Sequence, residues 1–119
     1  EIRIVSVRPQ PAGSSRFDFH LRIRNTGEAV WRVDDLPAGQ VKLGVQLLDS
    51  GRRLAEQNFL RIPLGRQLAP GEAIDLHFSI SRDLSAGGGF RFELVAELVT
   101  WFSTNGRSRP TDWMSSPKS

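Results

Sequence analysis

The sequence predicts an all-β fold in which two antiparallel sheets pack face to face, and three observations predict it. Apolar residues recur with a period of two in almost every segment, as they do where alternate side chains of a strand enter a core. Gly, Pro, Asn and Asp cluster between those segments, in "PAGSS", "NTG", "LPAG", "DSG", "APGE", "SAGGG" and "STNG", which is turn chemistry. No segment carries an apolar stripe at helical spacing.

Taken in order, "IRIVSV" places Ile2, Ile4 and Val7 in an edge strand that ends at Pro9. In "RFDFHLRIRN" Phe17, Phe19, Leu21 and Ile23 face one way, and Asp18, His20, Arg22 and Arg24 the other. A strand over Val41–Asp49 buries Val41, Leu43, Val45 and Leu47, and a weaker strand falls within 52–62. "AIDLHFSIS" sets Ile74, Leu76, Phe78 and Ile80 against Asp75, His77 and Ser79. "FRFELVAEL" points Phe90, Phe92, Leu94 and Ala96 inward. The run from Phe90 to Ser103 is too long for one strand, so a bulge or tight turn is expected near Glu97–Leu98. A last strand spans Thr111–Met114. Each sheet then has one dry and one wet side, and the dry sides must meet. With about seven or eight short strands the expected architecture is an immunoglobulin-like antiparallel β-sandwich, with a closed barrel as the alternative. Residues 1–114 form the domain, and 115–119, "SSPKS", a C-terminal linker.

A chain of 119 residues is one ordinary domain, long enough for a core without staples. The absence of cysteine excludes disulfides and thiolate chemistry, and fits a cytoplasmic protein. No apolar run approaches the length of a membrane span. The net charge is +3, and 14 of the 16 basic residues are arginine. Arginine forks match carboxylates and phosphates, so an acidic ligand or an anionic membrane face stands beside the plain reading of a solvated surface. The arginines are scattered and not clustered, which tells against nucleic acid.

Enzyme arrangements are poor. His20 and His77 both fall on polar strand faces with no nucleophile beside them, and read as surface histidines. Asp34, Asp35 and Asp49 are too few oxygen ligands for a calcium loop. Gly87–Gly89 has no helix behind it to bind phosphate, and reads as a flexible turn. No cofactor or metal is implied, and no catalytic residue is assigned.

Four ordered stretches carry a resemblance: "NTGEAVW" (25–31), "VKLGVQLLDSG" (41–51), "RIPLGRQLAPGE" (61–72) and "ELVAELVTWFSTNG" (93–106). Together they are similar to a small bacterial Ig-like domain appended to glycosyltransferases and methyltransferases of cell-surface polysaccharide synthesis. The N-x-G-x-x-x-W start and the P-G-E turn also resemble, more distantly, the four-tryptophan Ig-like domain of autophagy receptors. Where the family has Asp before Leu-Val this chain has Glu93, where it has Gly after Glu the chain has Leu98, and glycine replaces an aromatic near position 88. The resemblance implies a non-catalytic accessory module that binds a surface polysaccharide of O-antigen or capsule type, or docks on a neighbouring catalytic domain. It also implies a place in the bacterial cytoplasm, at the inner face of the membrane. The alternative is a structural or protein–protein interaction module without glycan binding.

Much of the motif is explicable as structure. Asn25 and Gly27 form a turn, and Pro70-Gly71-Glu72 carries a type II turn signal. Gly44 lies mid-strand, Trp31 is expected to plug one end of the sandwich, and Glu97 to pair with Arg61 across the sheet. The candidate ligand-binding residues are Trp101, Phe102, Asn105, Arg107, Arg109 and Trp113. Sugar recognition sets aromatic faces against C–H faces, with polar groups on the hydroxyls. Since neighbours in a strand point to opposite faces, one of Trp101 and Phe102 is left for contact, and parity with Val95 and Glu97 favours Trp101.

Overall fold

The computed structural model describes residues 1–9, 15–27, 41–84, 87–96, 100–101 and 110–115. Its strands are β1 (Ile2–Pro9), β2 (Arg16–Arg24), β3 (Val41–Leu48), β4 (Leu54–Pro63), β5 (Ala73–Ser81), β6 (Gly89–Ala96), β7 (Thr100–Trp101) and β8 (Thr111–Met114). They form two antiparallel sheets rather than one closed barrel. The smaller has the order β1-β2-β5; the larger runs β4-β3-β6-β7, with β8 also pairing β6. No helix among the described residues is long and apolar enough to cross a membrane.

The core lies where the two dry faces meet. Phe19, Leu21, Ile23 and Ile80 from the smaller sheet pack against Leu43, Val45, Phe90, Phe92 and Leu94 from the larger. Every one of these positions follows from period-two parity in its own strand. The aromatic rings interlock edge to face: Phe19 meets Phe90 at 5.7 Å and Phe92 at 5.2 Å.

The expectation of one wet side per sheet holds for the smaller sheet and fails for the larger. On the outward side of β3 and β6, Gly44, Gln46, Leu48, Glu93 and Val95 are also buried.

Two local expectations resolve into specific chemistry. Gly87–Gly89 takes up conformations and close contacts that require glycine. Gly87 and Gly88 take φ of 93° and 109°, and a Cβ on Gly89 would run into the carbonyl oxygen of Trp113 and sit 2.8 Å from Met114 Cα. Asp49 spends its carboxylate on its own turn, accepting from the amides of Gly51 (2.9 Å) and Arg53 (2.8 Å). After β6 the chain pairs back on it, Ala96 opposite Thr100 and Val95 opposite Trp101; the bulge or turn expected near Glu97–Leu98 lies outside the described residues.

Two motifs that looked like separate turns are one joint. Asn25 is fully buried; its Nδ2 donates to the Leu68 carbonyl (3.0 Å) and its Oδ1 accepts from Gly27 N–H (3.0 Å). Its backbone oxygen accepts from Gly71 (2.7 Å), and its amide donates to the Glu72 carbonyl (2.9 Å). The turn itself closes from Glu72 N–H to Ala69 C=O, with Gly71 at φ 84° as a type II turn needs. Glu72 then accepts from Ala69 N–H (2.8 Å) and from Arg66 (2.7 Å).

Candidate functional site

A candidate site lies on the outer face of β1, β2 and β5, and a bulge in β1 makes it. The register of β1 on β2 slips between Ile4 and Ser6, leaving Val5 out of the ladder and 44% exposed. Past the slip, Val7 turns inward opposite Phe19, while Ser6 and Arg8 turn outward opposite His20 and Asp18. On the far side of β2, His20 pairs with His77 and Asp18 with Ser79. Two cross-strand rows result, Ser6–His20–His77 and Arg8–Asp18–Ser79, and they line an open groove of ≈ 510 Å³ together with Arg16.

The two imidazoles stack, with ring centroids 4.1 Å apart and planes 25° from parallel. His20 Nε2 lies 2.9 Å from Asp75 Oδ1, and Arg22 Nε donates to the same oxygen at 3.1 Å. The His20 hydrogen bond, and next the Arg22 bond, hold the Asp75 carboxyl below its ordinary value of 3.8. In the next row Arg16 reaches Asp18 Oδ1 (3.3 Å) and Ser79 Oγ (3.1 Å), while Ser79 donates to Asp18 (2.5 Å). Among the described residues, no hydrogen bond holds either ring nitrogen of His77. The face as a whole sets Arg3, Arg8, Arg16, Arg22 and Arg24 against Asp18 and Asp75. Five arginines against two aspartates leave a net +3 with the histidines neutral, equal to the charge of the whole chain.

The arrangement can donate hydrogen bonds to hydroxyls and anions, and accept them at Asp18. Asp75 orients His20 as a base is oriented in acyl-transfer sites, but no serine hydroxyl among the described residues hydrogen-bonds that ring. Nor is any group of three or more His, Asp or Glu side chains among the described residues placed to hold a metal ion.

Most of the sequence-predicted site lies outside the described residues. Trp31, Glu97, Phe102, Asn105, Arg107 and Arg109 lie outside them, as do Asp34 and Asp35. Position 101 lies opposite Val95 in the sheet register. Trp113 lies opposite Phe90, five residues before Val95 in β6. Its indole is half-buried against the core, stacked on Phe90 (5.9 Å, 12°) and 5.2 Å from the Phe17 ring. Trp113 thus belongs to the rim of the core and is not gathered with position 101. Sequence parity did place His20 and His77 on polar faces, but it carried no sign that they are cross-strand partners. That fact depends on β2 pairing with β5, a strand far along the chain.

No family model matches the chain, and no curated protein or solved structure matches it.

Proposed function

We propose that this chain is a non-catalytic, immunoglobulin-like binding module for a polysaccharide or oligosaccharide, which it holds near a catalytic or transport partner. The observation that carries the reading is the groove across the β1-β2-β5 face. It offers serine, arginine, histidine and aspartate side chains at strand spacing on a rigid sheet, the donor and acceptor mixture that hydroxyl-rich ligands require. The strand order supports the immunoglobulin-like reading. A sheet of first, second and fifth strands facing one built on third and sixth matches the A-B-E and C-F-G pairing of that sandwich. Even a millimolar affinity would serve, because tethering to a neighbouring domain raises the effective concentration of the glycan. The resemblance of the sequence stretches extends the reading to a bacterial surface-polysaccharide system at the cytoplasmic face of the membrane. From the sequence alone, Trp101, Phe102, Asn105, Arg107 and Arg109 remain candidate ligand contacts as well.

A protein–protein module is the second reading. Exposed Val5, Leu54 and Leu60, on the edge strands β1 and β4, favour it. Amide NMR titration with oligosaccharides separates the two. Shifts centred on His20, His77 and Ser79 support glycan binding, and unmoved spectra at millimolar sugar leave the interaction module in its place.

A further inference from the structure

We infer that the groove on the β1-β2-β5 face selects an acidic glycan, a hydroxyl-rich chain bearing uronic-acid carboxylates, through Arg8, Arg16 and the stacked His20–His77 pair, and grips it more tightly as the pH falls. The inference rests on the glycan-binding reading above and names the class of ligand and its control.

Charge complementarity carries the first half. The groove is lined by two arginines and two histidines around one carboxylate, Asp18, on a face whose net charge is positive. Arginine forks take carboxylates in a bidentate way. Asp18 and Asp75 on the same face disfavour a dense polyanion such as a nucleic acid. A chain with isolated carboxylates and hydroxyls between them meets the arginines and gives Asp18 hydroxyl donors. The bulge at Val5 supports a binding role: it brings Ser6 and Arg8 to the outer face, where continued alternation would have sent Arg8 inward.

Geometry carries the second half. His20 faces Ser6 across β1, His77 across β5 and Asp75 through its Nε2; Arg22 shares that Asp75 oxygen, Arg8, Asp18 and Ser79 occupy the adjoining row, and Arg16 lies beyond it. Imidazole is the side chain that gains charge between about pH 8 and pH 5. Two imidazolium rings with centroids 4.1 Å apart repel each other, and an anion laid across them offsets that repulsion. By linkage, a ligand that favours the protonated pair binds more strongly at lower pH.

The test is calorimetric and NMR titration of the chain with hexagalacturonate, with a neutral hexasaccharide of the same linkage, and with a single-stranded RNA hexamer. Each is run at about pH 7.5 and about pH 5.5, where histidine changes charge and uronates stay ionised. The expected result is that hexagalacturonate binds at the groove and tightens by roughly fivefold at the lower pH, the scale of an exposed charge pair. The double variant His20→Gln/His77→Gln binds more weakly and loses the tightening between the two pH values, and His77→Gln, which leaves the His20–Asp75 bond intact, loses part of that tightening. Arg8→Gln weakens binding at both pH values. Equal binding of the neutral sugar, without pH dependence, overturns this inference and leaves the glycan reading standing. RNA binding as strong as hexagalacturonate overturns it in favour of a general polyanion surface. A pH dependence that survives the double variant removes the histidines from the account. Groove amides that no sugar moves overturn the glycan reading itself.

Discussion

Asn25 illustrates how much one buried polar side chain can decide. It satisfies a carbonyl at Leu68 and an amide at Gly27 while its own backbone bonds the Pro70–Glu72 turn. Asn25→Ala leaves those partners without their bonds, and should cost about 1–3 kcal/mol, read as a shift in urea midpoint at unchanged slope. Arg52 is the converse case, a side chain where glycine belongs. Its φ of 66° is left-handed, which costs an L-residue roughly 1–2 kcal/mol, while glycine's extra entropy costs about 0.5–1 kcal/mol. The first effect is the larger, so Arg52→Gly should stabilise by up to about 1 kcal/mol, and a lowered melting temperature would refute the comparison. Asp75 gives a pH signature. Its folded value lies below the ordinary 3.8, so its contribution is present above that value and is lost as the pH falls through the lower, folded one. Urea midpoints of wild type and Asp75→Asn should differ most above about pH 4 and converge in stronger acid.

At the scale of elements, β8 is the strand most exposed to a single change. It is held to β6 by pairing at Gly89–Phe92, by the bidentate Arg91–Asp112 bonds (2.7 and 3.1 Å), and by the stacking of Trp113 on Phe90. The Asp112 hydrogen bonds hold the Arg91 guanidinium pKa above its ordinary value. Backbone closeness at Gly89 admits no Cβ. Gly89→Ala should therefore strip β8 from the sheet, seen as loss of amide protection at Thr111–Met114 while β2 and β5 keep theirs. Retained protection would mean that the backbone can shift to accept a methyl group. In the smaller sheet the informative element is β1. A bulge on an edge strand both discourages edge-to-edge pairing and re-aims side chains, and here the re-aimed residues, Ser6 and Arg8, are those that line the groove.

For the whole molecule, the two sheets share one core and are tied at their margin by Thr111 Oγ1 donating to the Ile2 carbonyl (2.9 Å). Neither sheet has an apolar surface sufficient to stand alone, because each buries its dry face against the other. Unfolding should be a single cooperative transition, with far-UV circular dichroism and tryptophan fluorescence giving the same midpoint. Separate midpoints would mean that the sheets hold independent stability.

The sequence by itself determined the all-β class, most strand positions and the inward residues of β2, β3, β5 and β6, because side-chain alternation is a local property of extended backbone. It also determined that His20 and His77 sit on polar faces, and that Asn25, Gly71 and Gly27 serve turns. It could not determine which strands pair. Only the tertiary structure decided that His20 meets His77, that the Asn25 turn locks onto the Pro70 turn, and that the outer sides of β3 and β6 are covered. It also decided that Trp113 belongs with the core aromatics. The physical reason is that pairing across strands far apart in the chain is chosen by the collective burial of both sheets, and a one-residue slip such as the one at Val5 reverses every side chain beyond it.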